Sequence, residues 1–228
     1  MLSSKISRDE DIMSAGADPP AGDEFAPRRV VWLMVPAGNI VDEVIESLAP
    51  HLSPGDILID GGNSNFNDSV RRYKMLKEKG IDFLDCGTSG GTSGALNGAC
   101  TMIGGEREVY EFCKPVFDDI SLPGGTLYVG AAGAGHFTKM VHNGIEYGMM
   151  QAIAEGFEVL EKSSYDIDFQ KVAELWNHGS VVRSWLMELT ANAFSKDPHL
   201  DSIRGVMHSS GEGKWTLETA LDLGVPTP

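Results

Sequence analysis

Basic residues are scarce in this chain of 228 residues: Lys and Arg number 18 against 33 Asp and Glu, a formal net charge of -15. A surface so acidic has no excess of cations to neutralise a phosphate backbone or an anionic bilayer, which excludes nucleic-acid and membrane-surface partners. Small anions need only a local positive cluster and stay open as ligands. Cysteine is also scarce. Cys86, Cys100 and Cys113 are far apart and form no Cys-x-x-Cys pair, which argues against a disulfide framework and a cysteine metal site. They are expected to be reduced thiols packed as small buried hydrophobes. No apolar run approaches the roughly 18 residues of a membrane span, and the polar, charged start carries no secretory pattern. A cytoplasmic protein is expected. The hydrophobic share of 42% and charged share of 22% suit a packed globular core.

Residues 1–28 show no periodicity and include the pair Pro19-Pro20; they read as a flexible leader. From Val30 to Val35 the chain is continuously apolar, as a parallel strand covered on both faces would be. Pro36-Ala37-Gly38 breaks that run, and helical spacing follows through Ile40, Val41, Val44, Ile45 and Leu48. The alternation then repeats. Strands are expected at 56–60, 81–85 and 126–129, with helices at 67–79 and 106–119. This spacing indicates an open α/β sheet, in which ligands sit beyond the carboxyl ends of the strands. After Gly133 the pattern becomes helical, with a long helix over 136–162 and further helices over 171–176 and 181–193. The expected architecture is therefore α/β followed by all-α: a partial Rossmann-type parallel sheet over 29–131 and a helical substrate and dimerisation domain over 132–228.

The long helix carries the sharpest chemical signal. Lys139, His142, Asn143 and Glu146 fall at i, i+3, i+4 and i+7, which places them on one face. Phe137, Val141, Ile145 and Met149 fall elsewhere and are expected to pack. The stripe suits either a solvated face, with a His142–Glu146 pair, or a ligand. Gly133, Gly135 and Gly144 favour the second, because glycine permits close approach. A second signal is the glycine-rich stretch from Gly87 to Gly98, expected as a loop whose backbone N–H groups can hold an anion. A third is Ser210-Gly211-Glu212-Gly213-Lys214-Trp215-Thr216. There Thr216 can cap a helix, and Lys214 can offer a point charge to a phosphate.

Four segments together resemble the decarboxylating 6-phosphogluconate dehydrogenases: IDGGNS from Ile59, DCGTSGG from Asp85, GAGHFTKMVHNGIEYGMMQ from Gly133 and SGEGKWT from Ser210. They occur in that family's order, and the likeness is to its shorter members. The resemblance implies NAD or NADP as cofactor, 6-phosphogluconate as substrate and a homodimer. It implies Lys139 as the base that takes the C3 hydroxyl proton and Glu146 as the acid that later protonates C1. By the same likeness Asn143 and His142 orient the sugar oxygens, and Ser89, Gly90 and Gly91 hold the substrate carboxylate. Tyr147, Lys214 and Thr216 match positions around the phosphate. Asn63 matches a residue near both nicotinamide and substrate, and Val35, Pro36 and Ala37 match the cofactor-side turn. No metal is implied.

The family's usual opening, a strand, a Gly-x-Gly-x-x-Gly turn and a helix, has no counterpart before Arg29. Gly16-Ala17-Asp18-Pro19-Pro20 cannot replace it, because proline removes the donors that a phosphate turn needs. Two other readings stay open beside the first. One is a related β-hydroxyacid dehydrogenase. The other is a non-catalytic remnant that binds sugar phosphate or pairs with a complete subunit.

Overall fold

The computed structural model describes residues 28–206 and 209–227. The expected leader lies almost wholly outside the described residues. Two compact units divide the chain, Met1–Met140 and Val141–Pro228.

The first unit is built on a five-stranded sheet in sequential order, β1 (Val30–Leu33), β2 (Ile57–Asp60), β3 (Asp82–Ser89), β4 (Ala99–Gly105) and β5 (Ser121–Gly130). Helices α1 (Asn39–Leu48), α2 (Phe66–Lys77), α3 (Gly91–Asn97) and α4 (Arg107–Ile120) connect the strands. The apolar periodicity of α1 buries Val41 and Ile45 against the sheet with Leu33, Leu58, Leu76 and Phe83. The α4 residues Val109, Tyr110, Cys113 and Phe117 join Ile57, Ile59, Leu84 and Ile103 in a second cluster. Each buried side chain of this size contributes about 1.5–3 kcal/mol relative to an exposed one. Asn65 caps α2 by accepting a hydrogen bond from the Asn67 backbone N–H, 2.9 Å away.

Two expectations about this unit are corrected. Strand β4 was not foreseen, because Ala99–Gly105 ends in two glycines and shows no alternation. It pairs antiparallel with β3, so the sheet is parallel except for that one ladder. The glycine-rich stretch from Gly87 to Gly98 is also not a loop. Its first three residues complete β3, with Ser89 opposite Cys100, and Gly91–Asn97 form α3. Cys100 is exposed, whereas Cys86 and Cys113 are buried as expected. Burial pushes both of those thiols up to about 12, the ordinary behaviour of a thiol removed from water.

The second unit contains most of α5 (Ala134–Glu161), with α6 (Phe169–Trp176), α7 (Trp185–Lys196) and α8 (Glu212–Leu223). Among its described residues no strand occurs. Phe157, Ala173, Met187, Ala191 and Phe194 form its core. Helix α7 begins at Trp185 and not at 181, because the Ser184 hydroxyl accepts from the Met187 backbone N–H and sets the start there. Thr216 is not the N-cap of α8: Gly211 occupies that position with φ 100°, and the Thr216 hydroxyl donates to the Glu212 carbonyl one turn back. Ile145 and Met149 are exposed at 61% and 40%, contrary to their expected packing role. Among the described residues no helix is long and apolar enough to cross a membrane.

Candidate active site

The turns after β1 and β2 and the middle of β3 are held by three buried charged groups. Asp60 and Asp85 end apolar strand segments and stand opposite each other in the ladder, and both are fully buried. Arg72, on α2 and also fully buried, serves the first of them. Its guanidinium donates to Asp42 (2.9 and 3.1 Å), Asp60 (3.2 Å), the Ser64 hydroxyl (3.0 Å) and the Gly38 carbonyl (3.0 Å). These bonds account for all five N–H donors of an arginine. The turn after β1 and the turn after β2 are thus tied to one side chain. Asp60 also accepts from the Gly62 N–H and the Ser64 hydroxyl.

The hydrogen bonds from Arg72 hold the Asp42 carboxyl down from its ordinary 3.8 to about 2; burial opposes them, and Arg71 adds to them. A carboxylate whose folded pKa is depressed contributes stability above the unfolded pKa and loses it as pH falls through the folded one. The full shift is worth about 2 kcal/mol. Asp42 is one-quarter exposed, so about 1–2 kcal/mol is expected after screening. Chemical denaturation should therefore show stability falling between about pH 4 and pH 2, with that part of the fall absent in Asp42→Asn.

Asn63 stands in the turn after β2 with φ 54°, a left-handed conformation that asparagine tolerates. Its carboxamide donates to the Thr88 carbonyl (3.0 Å) and accepts from the Thr88 N–H (2.8 Å). It works as a strand partner to the residue beside Ser89. Val35 is half-buried, and Pro36 and Ala37 are exposed beyond β1. Ser89, Gly90 and Gly91 form the junction of β3 and α3, where Gly90 takes φ 130°.

Asp85 fixes the start of α5. Its carboxylate accepts from the backbone N–H groups of Gly133 (2.6 Å) and His136 (2.8 Å). Burial pushes this carboxyl up, and His136 with the two N–H donors opposes the shift. The His136 ring is buried and shares a 2.7 Å hydrogen bond with the Ser69 hydroxyl. Gly135 has no room for a side chain, because a Cβ there would lie 2.4 Å from the Asp85 carbonyl oxygen. One turn on, Lys139 is only 5% exposed. A Cβ on Gly87 would fall 2.4 Å from the Cβ of Lys139, so the bare backbone of β3 is what admits the lysine. Neither Lys139 nor Asn143, 7% exposed, belongs to a solvated face.

In the second unit α5 and α8 meet through two more glycines. A Cβ on Gly144 would lie 2.5 Å from the Thr216 methyl, and one on Gly213 would lie 2.5 Å from the Tyr147 ring. That contact gathers Asn143, Tyr147 and Thr216. The Asn143 Nδ2 donates to the Glu212 carboxylate at 2.6 Å, and the Ser210 hydroxyl donates to the same oxygen at 3.0 Å. His142 Nδ1 lies 3.0 Å from Asn143 Oδ1 and 3.8 Å from the Glu146 carboxylate, the expected pair. Lys214 is not drawn into this group; it is exposed and pairs with Glu218 at 3.4 Å along α8.

Sequence reasoning missed Arg72, Asp60, Asp85, His136 and Glu212. The two aspartates carried a signal, since a carboxylate ending an apolar strand needs a buried partner. Glu212 lay within a recognised segment without an assigned role. Among the described residues no cluster of His, Cys, Asp or Glu could hold a metal ion.

A mostly parallel sheet with conformationally fixed turns at its strand ends, followed by a helical unit, has the form of an α/β nucleotide-binding fold followed by a helical domain. Residues 7–130 match the NAD binding domain of 6-phosphogluconate dehydrogenase, and residues 135–228 match the C-terminal domain of the same enzyme. The chain belongs to the 6-phosphogluconate dehydrogenase family. Bacillus subtilis YqeC, named for that family, is 60% identical over 202 residues, covering 89% of this chain and 68% of its own. An NAD(+)-dependent, decarboxylating 6-phosphogluconate dehydrogenase of Haloferax volcanii is 43% identical over 221 residues, covering 94% and 73%. The structure of the Plasmodium falciparum 6-phosphogluconate dehydrogenase, described with NADP+ and with 6-phosphogluconate, superposes with a TM-score of 0.81 at 39% identity. It covers 90% of this chain, which spans 46% of the Plasmodium chain.

Proposed function

We propose that the protein oxidises and decarboxylates 6-phosphogluconate to ribulose 5-phosphate and CO2, with NAD or NADP as hydride acceptor. The observation that carries this reading is the burial of Lys139 against Gly87, on the helix that also presents Asn143 and Glu146. A base for an alcohol must be held within reach of the hydroxyl proton, and a side chain packed against the bare backbone of β3 is fixed in place for that task. Lys139 would take the proton of the C3 hydroxyl as the C3 hydrogen departs as hydride. The resulting 3-keto acid loses its C1 carboxylate as CO2, because the ketone accepts the electron pair. Glu146 would then return a proton to C1 of the enediol. His142 and Asn143 would hold the hydroxyl and carbonyl oxygens. Ser89, Gly90 and Gly91 would hold the carboxylate, and Tyr147, Thr216 and Lys214 the phosphate.

The turn of Val35, Pro36 and Ala37 fits the nicotinamide end of a dinucleotide: it lies beyond β1 with Pro36 and Ala37 exposed, and Arg72 fixes the following Gly38 carbonyl. The cofactor would supply the acceptor for the hydride. Asn63 contributes by shaping the turn, since its carboxamide is bonded to the Thr88 backbone. A homodimer belongs to the same reading, supported by the exposed apolar side chains Trp185, Leu189, Leu217 and Leu221.

Thermal unfolding with and without 6-phosphogluconate tests the substrate assignment. A ligand that binds only the folded state adds about 2.7 kcal/mol at 100 times its dissociation constant. A rise in melting temperature is expected, smaller for Lys214→Ala. A larger rise with a non-phosphorylated 3-hydroxy acid would replace the sugar phosphate with a simpler substrate. No rise at millimolar concentration of either ligand in a cooperatively folding chain would favour the non-catalytic reading.

A further inference from the structure

Glu212 is a carboxylate only 7% exposed, at the first position of α8, and it has no part in the chemistry proposed above. One of its oxygens receives the Asn143 Nδ2 at 2.6 Å and the Ser210 hydroxyl at 3.0 Å. An ionised carboxylate can only accept hydrogen bonds. The amide group facing it must therefore be the nitrogen, and the two ends of the Asn143 carboxamide are distinguished by their neighbour. The Asn143 Oδ1 is then the atom that lies 3.0 Å from His142 Nδ1. An amide oxygen only accepts as well, so Nδ1 of a neutral His142 must carry the ring proton. Nε2 keeps its lone pair.

We infer that Glu212 is a positioning residue that acts through Asn143 to fix His142 as its Nδ1–H tautomer, giving the site an imidazole acceptor for a sugar hydroxyl. The His142 side chain is 39% exposed, so a ligand can reach it. The Glu146 carboxylate, 3.8 Å from the same Nδ1, is beyond hydrogen-bond distance and takes no direct hydrogen bond from it. The tautomer follows from the Glu212–Asn143 and Asn143–His142 hydrogen bonds. Only its consequence for binding rests on the proposed function.

Nitrogen-15 NMR of the histidine side chains separates the two parts of the inference. Long-range proton–nitrogen correlations report which ring nitrogen is protonated. They are recorded at about pH 8.5, above the ordinary histidine range. The parent protein is expected to show His142 as Nδ1–H. Glu212→Leu removes the acceptor, and Asn143→Leu removes the intermediary. In either variant the ring should move toward Nε2–H, while Glu146→Gln should leave it unchanged. A parent His142 protonated at Nε2 overturns the inference without recourse to any variant. So does a folded Glu212→Leu protein that keeps a pure Nδ1–H ring. Titration with 6-phosphogluconate reads the consequence: Glu212→Leu should weaken binding about tenfold, the worth of one well-placed hydrogen bond. A tautomer shift with no binding of 6-phosphogluconate by the parent would sustain the positioning role and reject the substrate.

Discussion

Arg72→Met is expected to destabilise the protein by about 3–5 kcal/mol, because it leaves Asp60 buried without its cation. A loss of that size approaches the whole stability of many domains. Arg72 is the larger partner in a network in which every donor is used, and Asp60 cannot reach water once the guanidinium is gone. Arg72→Lys should recover little, since an ammonium offers three donors from one point where five are needed in a planar fork. Urea denaturation near neutral pH reads the difference. Loss of under about 1 kcal/mol in Arg72→Met would mean that the two turns are held by the hydrophobic packing of α1 and α2, with the arginine incidental.

Lys139→Met should lower the turnover of 6-phosphogluconate by about 10²–10⁴-fold, the usual contribution of a positioned acid or base. Methionine is close to lysine in length and adapts to a buried position such as the one against Gly87, so the fold should be retained. Affinity for 6-phosphogluconate should change far less than turnover, because the lysine acts on one proton in the reaction step. Equal losses in both would indicate that Lys139 only holds the substrate, and the base would have to be sought elsewhere.

Much of this arrangement was legible from sequence. The apolar run at Val30–Val35 and the segment ending in Asp60 gave parallel strands; β2 is buried along its whole length, whereas β1 is only partly covered, with Val30 exposed. The spacing of Lys139, His142, Asn143 and Glu146 gave one helix face, because α5 is regular through those positions. Strand β4 was hidden by its glycines, of which Gly104 faces the start of α5: a Cβ there would lie 2.7 Å from the Gly135 nitrogen. Gly87, at the head of the stretch expected as a loop, likewise faces α5, where a Cβ would lie 2.8 Å from the Gly135 carbonyl oxygen. Composition marks glycine as flexible, while here it provides room for another backbone. Arg72 was invisible because a basic residue on an amphipathic helix ordinarily faces water, and only the tertiary placement of Asp42 and Asp60 draws it inside. Glu212 was passed over for a related reason, as its buried partner, Asn143, lies 69 residues away.

Cofactor reduction measured together with the fate of C1 tests the central claim most directly. The protein would be given 6-phosphogluconate labelled with carbon-13 at C1 and either NAD+ or NADP+. One equivalent of labelled CO2 or bicarbonate is expected for each reduced cofactor formed, with ribulose 5-phosphate as the remaining product. Cofactor reduction with the label retained in an organic acid would contradict the account, as would a folded protein that binds 6-phosphogluconate yet releases no label with either cofactor.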